Sequence, residues 1–99
     1  MRVLSIEEIE RGGFARGSIK RARRLWRNIS IDYQSERRVA FTVWDREKGS
    51  KHSVIYNSVK REPADWSCDC KWYSTQGIGS GKYCAHILAV HLFLNKVSQ

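Results

Sequence analysis

Trp66-Ser67-Cys68-Asp69-Cys70 and Tyr83-Cys84-Ala85-His86-Ile87-Leu88-Ala89-Val90, with thirteen residues between Cys70 and Cys84, decide how this chain folds. Three thiols and one imidazole are the soft donors that a tetrahedral zinc ion takes, and together they close its shell without water. Such a closed shell is structural. One-residue spacers suit extended backbone, where alternate side chains project the same way, so Cys68 and Cys70 can face one ion. Cys84 and His86 do the same from the other side. The apolar run Ile87 to Leu94 that follows reads as a helix, which puts His86 at its first turn. The positive end of that helix then offsets part of the thiolate charge.

Other uses of these side chains fit less well. Three cysteines cannot all pair, one-residue spacing makes a poor disulfide, and the chain opens on no recognisable secretory signal. Free cysteine is often a small core residue, but two tight pairs are a demanding coincidence for that role. Iron–sulfur ligation is compatible with the same four donors, since sequence alone does not fix the metal. Zinc is the default.

These two stretches resemble the SWIM zinc finger, whose pattern is Cys-x-Cys, a variable gap, then Cys-x-His, usually followed by Ile-Leu-Ala. Ile87-Leu88-Ala89 stands where that pattern requires. The resemblance covers residues 38–94, including two strands expected ahead of the knuckle. It implies one structural zinc ion on Cys68, Cys70, Cys84 and His86. It also implies DNA binding or protein interaction, as in SWIM domains of remodelling-type ATPases, transposases, ubiquitin-ligase-related and recombinase-associated proteins.

Catalytic look-alikes fail on spacing. Zinc deaminases need His-x-Glu and Pro-Cys-x-x-Cys with an open metal position, and no Glu follows a ligand here. Gly77-Ile78-Gly79-Ser80-Gly81-Lys82 imitates a phosphate loop, but Gln76 replaces its first glycine and Tyr83 its magnesium-binding hydroxyl. These glycines are expected to let the loop between the ligands turn back to the metal. His52 and His91 have no acid–base partner nearby in sequence and read as structural. An enzyme is not expected.

Ninety-nine residues make one domain, small enough for a metal staple to matter. The formal charge is +8, and three thiolates with one zinc would leave about +7. Arg16, Lys20, Arg21, Arg23, Arg24 and Arg27 occur with no acid among them, whereas residues 28–65 hold seven bases against six acids. Polyanions are therefore the first partners to consider. No apolar stretch approaches the roughly 20 residues needed to cross a bilayer, so no membrane partner is expected. Reduced thiols place the chain in a reducing interior, cytoplasm or nucleoid.

The fold class expected is α+β, a small zinc-stabilised domain. Ser5 and Glu8 form a capping box for a helix over residues 6–11, ended by Gly12-Gly13. At about 100° per residue, Ala22, Leu25, Trp26 and Ile29 share an arc with Ile19 and the six bases fill the other, predicting a basic amphipathic helix over residues 16–28. Ile29 to Tyr33 suits a short strand. Arg38 to Trp44 alternates Val39, Phe41 and Val43 against Arg38, Ala40, Thr42 and Trp44, and Lys51 to Asn57 is its hairpin partner across a polar, glycine-bearing turn. A hairpin or three-stranded sheet, a Cys-x-Cys knuckle and a helix over residues 83–97 complete the plan. Residues 1–37 form an N-terminal helical extension and residues 38–99 the zinc-binding part, in one compact unit.

The expected function is a nucleic-acid-binding module, DNA first, with Arg16, Lys20, Arg21, Arg23, Arg24 and Arg27 meeting phosphates. Trp66, Trp72, Tyr73 and Tyr83 could stack on bases, although filling a small core is the more ordinary use of them. The alternative is a protein-interaction adaptor docking through the last helix around Leu88 and Leu92, a face that could also form a homodimer seam.

Overall fold

A helix with hardly a polar side must be covered from several directions, and the last helix shows how this chain does it. In the computed structural model, which describes residues 1–78 and 80–98, Ala85–Val97 forms that helix, and every residue from Ala85 to Leu92 is buried. Gly79 of the phosphate-loop look-alike and Gln99 after the last helix lie outside the described residues. The chain order is α1 (Ile6–Arg11), α2 (Arg16–Leu25), a 3₁₀ turn (Trp26–Asn28), β1 (Ile29–Gln34), β2 (Arg38–Asp45), β3 (Ser50–Asn57), β4 (Trp66–Cys68), a π-helical turn (Tyr73–Gly77) and α3 (Ala85–Val97).

The four strands form one antiparallel sheet in the order β1-β2-β3-β4. This exceeds the expected hairpin or three strands because the three-residue β4 pairs with β3, placing Cys68 beside Val54 and Trp66 beside Tyr56. A strand that short is invisible to period-2 analysis; the β3 edge recruits it. Between β2 and β3 the register runs unbroken from Arg38 opposite Asn57 to Asp45 opposite Ser50. Gly49, at φ +66°, closes that hairpin in a conformation disfavoured for residues with a Cβ. β1 carries a register shift between Ile31 and Tyr33.

Val39, Phe41 and Val43 point to one face, where they are buried with Val54 and Trp66 against α3. α2 adds Ala22 and Leu25 to the same core, and α1 adds Ile9. Residue 37 lies in the turn between β1 and β2, so strands from both sides of it hydrogen-bond in one sheet. α1 carries the capping box: Ser5 Oγ accepts the Glu8 amide and Glu8 accepts the Ser5 amide, each at 3.1 Å. The Ser5 amide and Arg2 hold the Glu8 carboxyl below its usual pKa. No helix among the described residues is long and apolar enough to cross a membrane.

The apolar seam expected on α3 for a partner or a second copy is already filled from within. Leu88 and Leu92 are 0% and 5% exposed. Hydrophobicity located the helix correctly, but a single sequence cannot say whether its second apolar side meets another chain or, as here, α2 of the same one.

Candidate metal centre

The end of β4 delivers Cys68, the next extended residue is Asp69, and Cys70 opens the helical turn that follows. At the far end of the loop, Cys84 is the extended N-cap of α3, with ψ 171°, and His86 is the second residue of the helix. One donor atom from each of the four residues lies within 4.8 Å of all the others. None of the four is more than 9% exposed, and the three cysteines are unbridged. The His86 Nδ1 faces the Cys84 sulfur at 3.9 Å, so it is the nitrogen turned toward the thiols.

The sulfurs are in electrostatic conflict. Hydrogen bonds to Cys70 and Cys84, with burial behind them, push the Cys68 thiol well up. The Cys68 and Cys84 thiols push Cys70 well down, aided by His86 and by the Tyr73 amide, which donates to the Cys70 sulfur at 3.4 Å. A divalent cation removes that conflict by taking all three as thiolates. Three sulfurs and one nitrogen, buried and convergent, fit zinc in a closed tetrahedral shell. Residues 52–95 match the SWIM zinc finger family. No curated protein and no solved structure matches the chain.

The SWIM match begins in β3 and runs through β4, the knuckle and α3. It starts later than the expected residue 38, so β2 lies outside the matched segment. Together with the Cys/His cluster, the match supports one structural zinc ion. SWIM zinc fingers are binding modules rather than a catalytic family.

A second layer around the cluster escaped sequence reading. Asp69, between the two ligand cysteines, accepts the Ser53 amide at 3.1 Å, while its own amide donates to the Ser53 carbonyl at 3.2 Å. The same carboxylate lies 3.2 Å from His52 Nδ1, and the His52 ring packs on His86 with centroids 4.1 Å apart. Thus the knuckle is pinned to β3 by backbone, carboxylate and ring together. Asp69 at the centre of Cys-Asp-Cys was the available signal, but its partners are at least 16 residues away in the chain.

His91 is core, as its lack of a sequence partner implied. It lies against Trp66 and Tyr83, with centroids at 4.4 and 5.3 Å, and its Nδ1 accepts the Leu4 amide at 2.9 Å. Burial, with Arg2 nearby, depresses its pKa to about 4.

The aromatics near the knuckle are structural. Trp66 and Tyr73 are buried, the Tyr73 hydroxyl donates to the Trp66 carbonyl at 2.8 Å, Tyr83 stacks on Phe14, and Trp72 packs half-buried against the core. Gly77 explains part of the glycine-rich loop, since a Cβ there would sit 2.4 Å from the Tyr73 ring. Gly81, at φ +76°, turns the chain toward Cys84.

The six bases of the N-terminal segment share no single surroundings. Arg24 makes two hydrogen bonds to buried Asp45 and reaches Glu47 at 3.2 Å, Arg21 lies 3.8 Å from Asp45, and Arg23 pairs with Glu10. Arg27 lies over the Trp26 ring. Among the described residues, no carboxylate pairs with Arg16, Lys20 or Arg27.

Proposed function

We propose that the chain is a zinc-stabilised nucleic-acid-binding module, DNA being the first candidate, in which Cys68, Cys70, Cys84 and His86 hold one structural zinc. The observation that carries this reading is positive charge left uncompensated at the surface: of a formal +8, much sits on bases with no acid partner among the described residues, Arg16, Lys20 and Arg27 included. Each such base that neutralises a phosphate releases condensed counterions, so affinity would fall steeply with salt. The SWIM match supports a binding role and assigns no chemistry to catalyse. Three reduced thiols suit a reducing interior, cytoplasm or nucleoid.

The test is fluorescence anisotropy of labelled DNA and RNA, single and double stranded, titrated with zinc-loaded protein at several salt concentrations. We expect binding whose log K falls linearly with log salt, with slope about −0.9 per phosphate neutralised on duplex. Salt-insensitive or absent binding to all four probes overturns the reading.

A protein-adaptor reading is favoured by one feature, a hollow of about 740 Å³ beside α1 lined by Leu4, Phe14, Pro63 and Tyr83 and rimmed by Arg2 and Glu62. A pull-down that survives nuclease treatment would favour that reading; one abolished by nuclease would favour nucleic acid.

A further inference from the structure

With all the helices on the Val39/Phe41/Val43 side, the opposite face of the sheet is left open. Register places its side chains: Tyr33 stands opposite Ala40, Ala40 opposite Ile55, and Trp44 opposite Lys51. Arg38, Ala40 and Trp44 occupy even positions of β2, opposite in sense to the buried odd ones, so Tyr33, Arg38, Trp44 and Lys51 share this face. Tyr33 and Trp44 are also the exposed aromatic residues of the described chain, at 58% and 41%. Both of them standing on the open face needs a reason, because the other large rings were used to fill the core.

The charge on this face points the same way. Arg38 and Lys51 pair with no carboxylate among the described residues, and neither do Arg37, Lys60 and Arg61. Backbone bonds hold the loop carrying Lys60 and Arg61 beside the turn carrying Arg37, the Ser58 amide donating to the Arg37 carbonyl and the Lys60 amide to the Asn57 carbonyl. The Lys51 ammonium sits 4.5 Å from the Trp44 ring centre, so ring and cation are presented together. Two carboxylates stand on or beside the same face and keep their charge while hydrogen-bonded. Asp32 accepts from the Ser30 and Thr42 hydroxyls and Asp69 from the Ser53 amide.

We infer that this open sheet face is a stacking platform for single-stranded nucleic acid, with Tyr33 and Trp44 taking bases while Arg38, one step beyond Tyr33, and Lys51, beside Trp44, meet the backbone at its two ends. Four residue steps along β2 take Ala40, the neighbour of Tyr33, to Trp44, or about 13 Å along the strand. A single strand freed from base stacking can span that distance in a few nucleotides. Rings on a flat face can stack only on bases freed from pairing, because duplex bases are already stacked on one another. The inference rests on the nucleic-acid reading above and goes further by naming the strand state and the surface.

The experiment titrates the 99-residue zinc-loaded chain against a fluorescein-labelled 12-nucleotide single strand of mixed sequence and the matching duplex. The single strand is expected to bind tighter. Tyr33→Ala/Trp44→Ala should weaken single-strand binding about tenfold or more while changing duplex binding less than threefold. The triple variant Arg16→Gln/Lys20→Gln/Arg27→Gln should weaken both probes alike. Unchanged zinc stoichiometry and circular dichroism certify the variants. As a check that needs no alanine, the single strand should quench tryptophan fluorescence in the parent, and Trp44→Phe should keep the affinity but lose most of the quenching.

Single-strand affinity unchanged by the double alanine variant, or a preference for duplex, overturns the platform and leaves the nucleic-acid reading standing. Failure of both probes to bind removes that reading and the platform with it.

Discussion

Arg24 lays its guanidinium along the buried Asp45 carboxylate, Nη1 to Oδ1 at 3.1 Å and Nη2 to Oδ2 at 3.3 Å, tying the last turn of α2 to the end of β2. Asp45 also accepts the Lys48 amide at 3.3 Å, so the carboxylate anchors its own hairpin turn. One arginine of the basic helix is therefore a structural clamp. Local sequence groups it with the phosphate contacts, because Asp45 lies 21 residues away.

The Arg24 hydrogen bonds hold the Asp45 carboxyl below its usual range against the opposing effect of burial. A carboxyl with a lowered folded pKa adds stability above its unfolded pKa, about 3.9, and loses it as pH falls through the folded value. Asp45→Asn should thus lower Tm at pH 7, measured with one zinc per chain in both proteins, because acid strong enough to protonate Asp45 also releases the metal on which melting depends. An unchanged Tm would contradict the clamp.

Removing zinc should cost the fold. Structural zinc sites of this kind contribute about 10–16 kcal/mol of apparent binding free energy at neutral pH, comparable to or larger than the stability of a small domain. Chelation, Cys70→Ser or His86→Ala should therefore abolish cooperative melting and reduce helical circular dichroism, and metal analysis of the parent should return one zinc per chain. A chelated protein that melts as before would disprove a structural ion.

Asp69 touches no metal donor directly in its hydrogen bonds, yet it holds the backbone that carries two of them. Asp69→Ala should weaken zinc binding about 10- to 100-fold in competition with a chromophoric chelator, with the ligand set unchanged. The absorption spectrum of the cobalt-substituted protein should stay tetrahedral. Loss of that spectrum would mean that Asp69 does more than position the knuckle.

His91 folds as the neutral ring, its Nδ1 accepting the Leu4 amide, which leaves the proton on Nε2. A depressed histidine adds stability above its unfolded pKa, about 6.5, and that stability is lost as pH falls toward its folded value of about 4. Over that interval the slope is at most about 1.4 kcal/mol per pH unit. His91→Gln, which can still accept the amide, should flatten the decline between pH 6.5 and 4 when compared with the parent at saturating zinc. An unchanged slope would mean that His91 is charged in the fold.

Much of this chain was legible because short-range rules govern it. The Ser5–Glu8 capping box appears with both its hydrogen bonds, alternation in β2 predicted its buried face, and the spacing of Cys68, Cys70, Cys84 and His86 anticipated their convergence. β4 was not legible, because three residues carry no period. The partner of Asp69 was not either, because a hydrogen bond across sixteen residues leaves no local trace.

By itself, the sequence determined the four convergent soft donors, the helix that follows them, the hairpin and the excess of positive charge. Each follows from residue types at fixed local spacing, where geometry is set within one or two turns of backbone. Tertiary structure alone decided that α3 is sealed by α2, that Arg24 serves Asp45, and that Tyr33 and Trp44 share an uncovered face. Those outcomes depend on which distant surfaces meet, and burial and pairing between remote segments are properties of the packed chain.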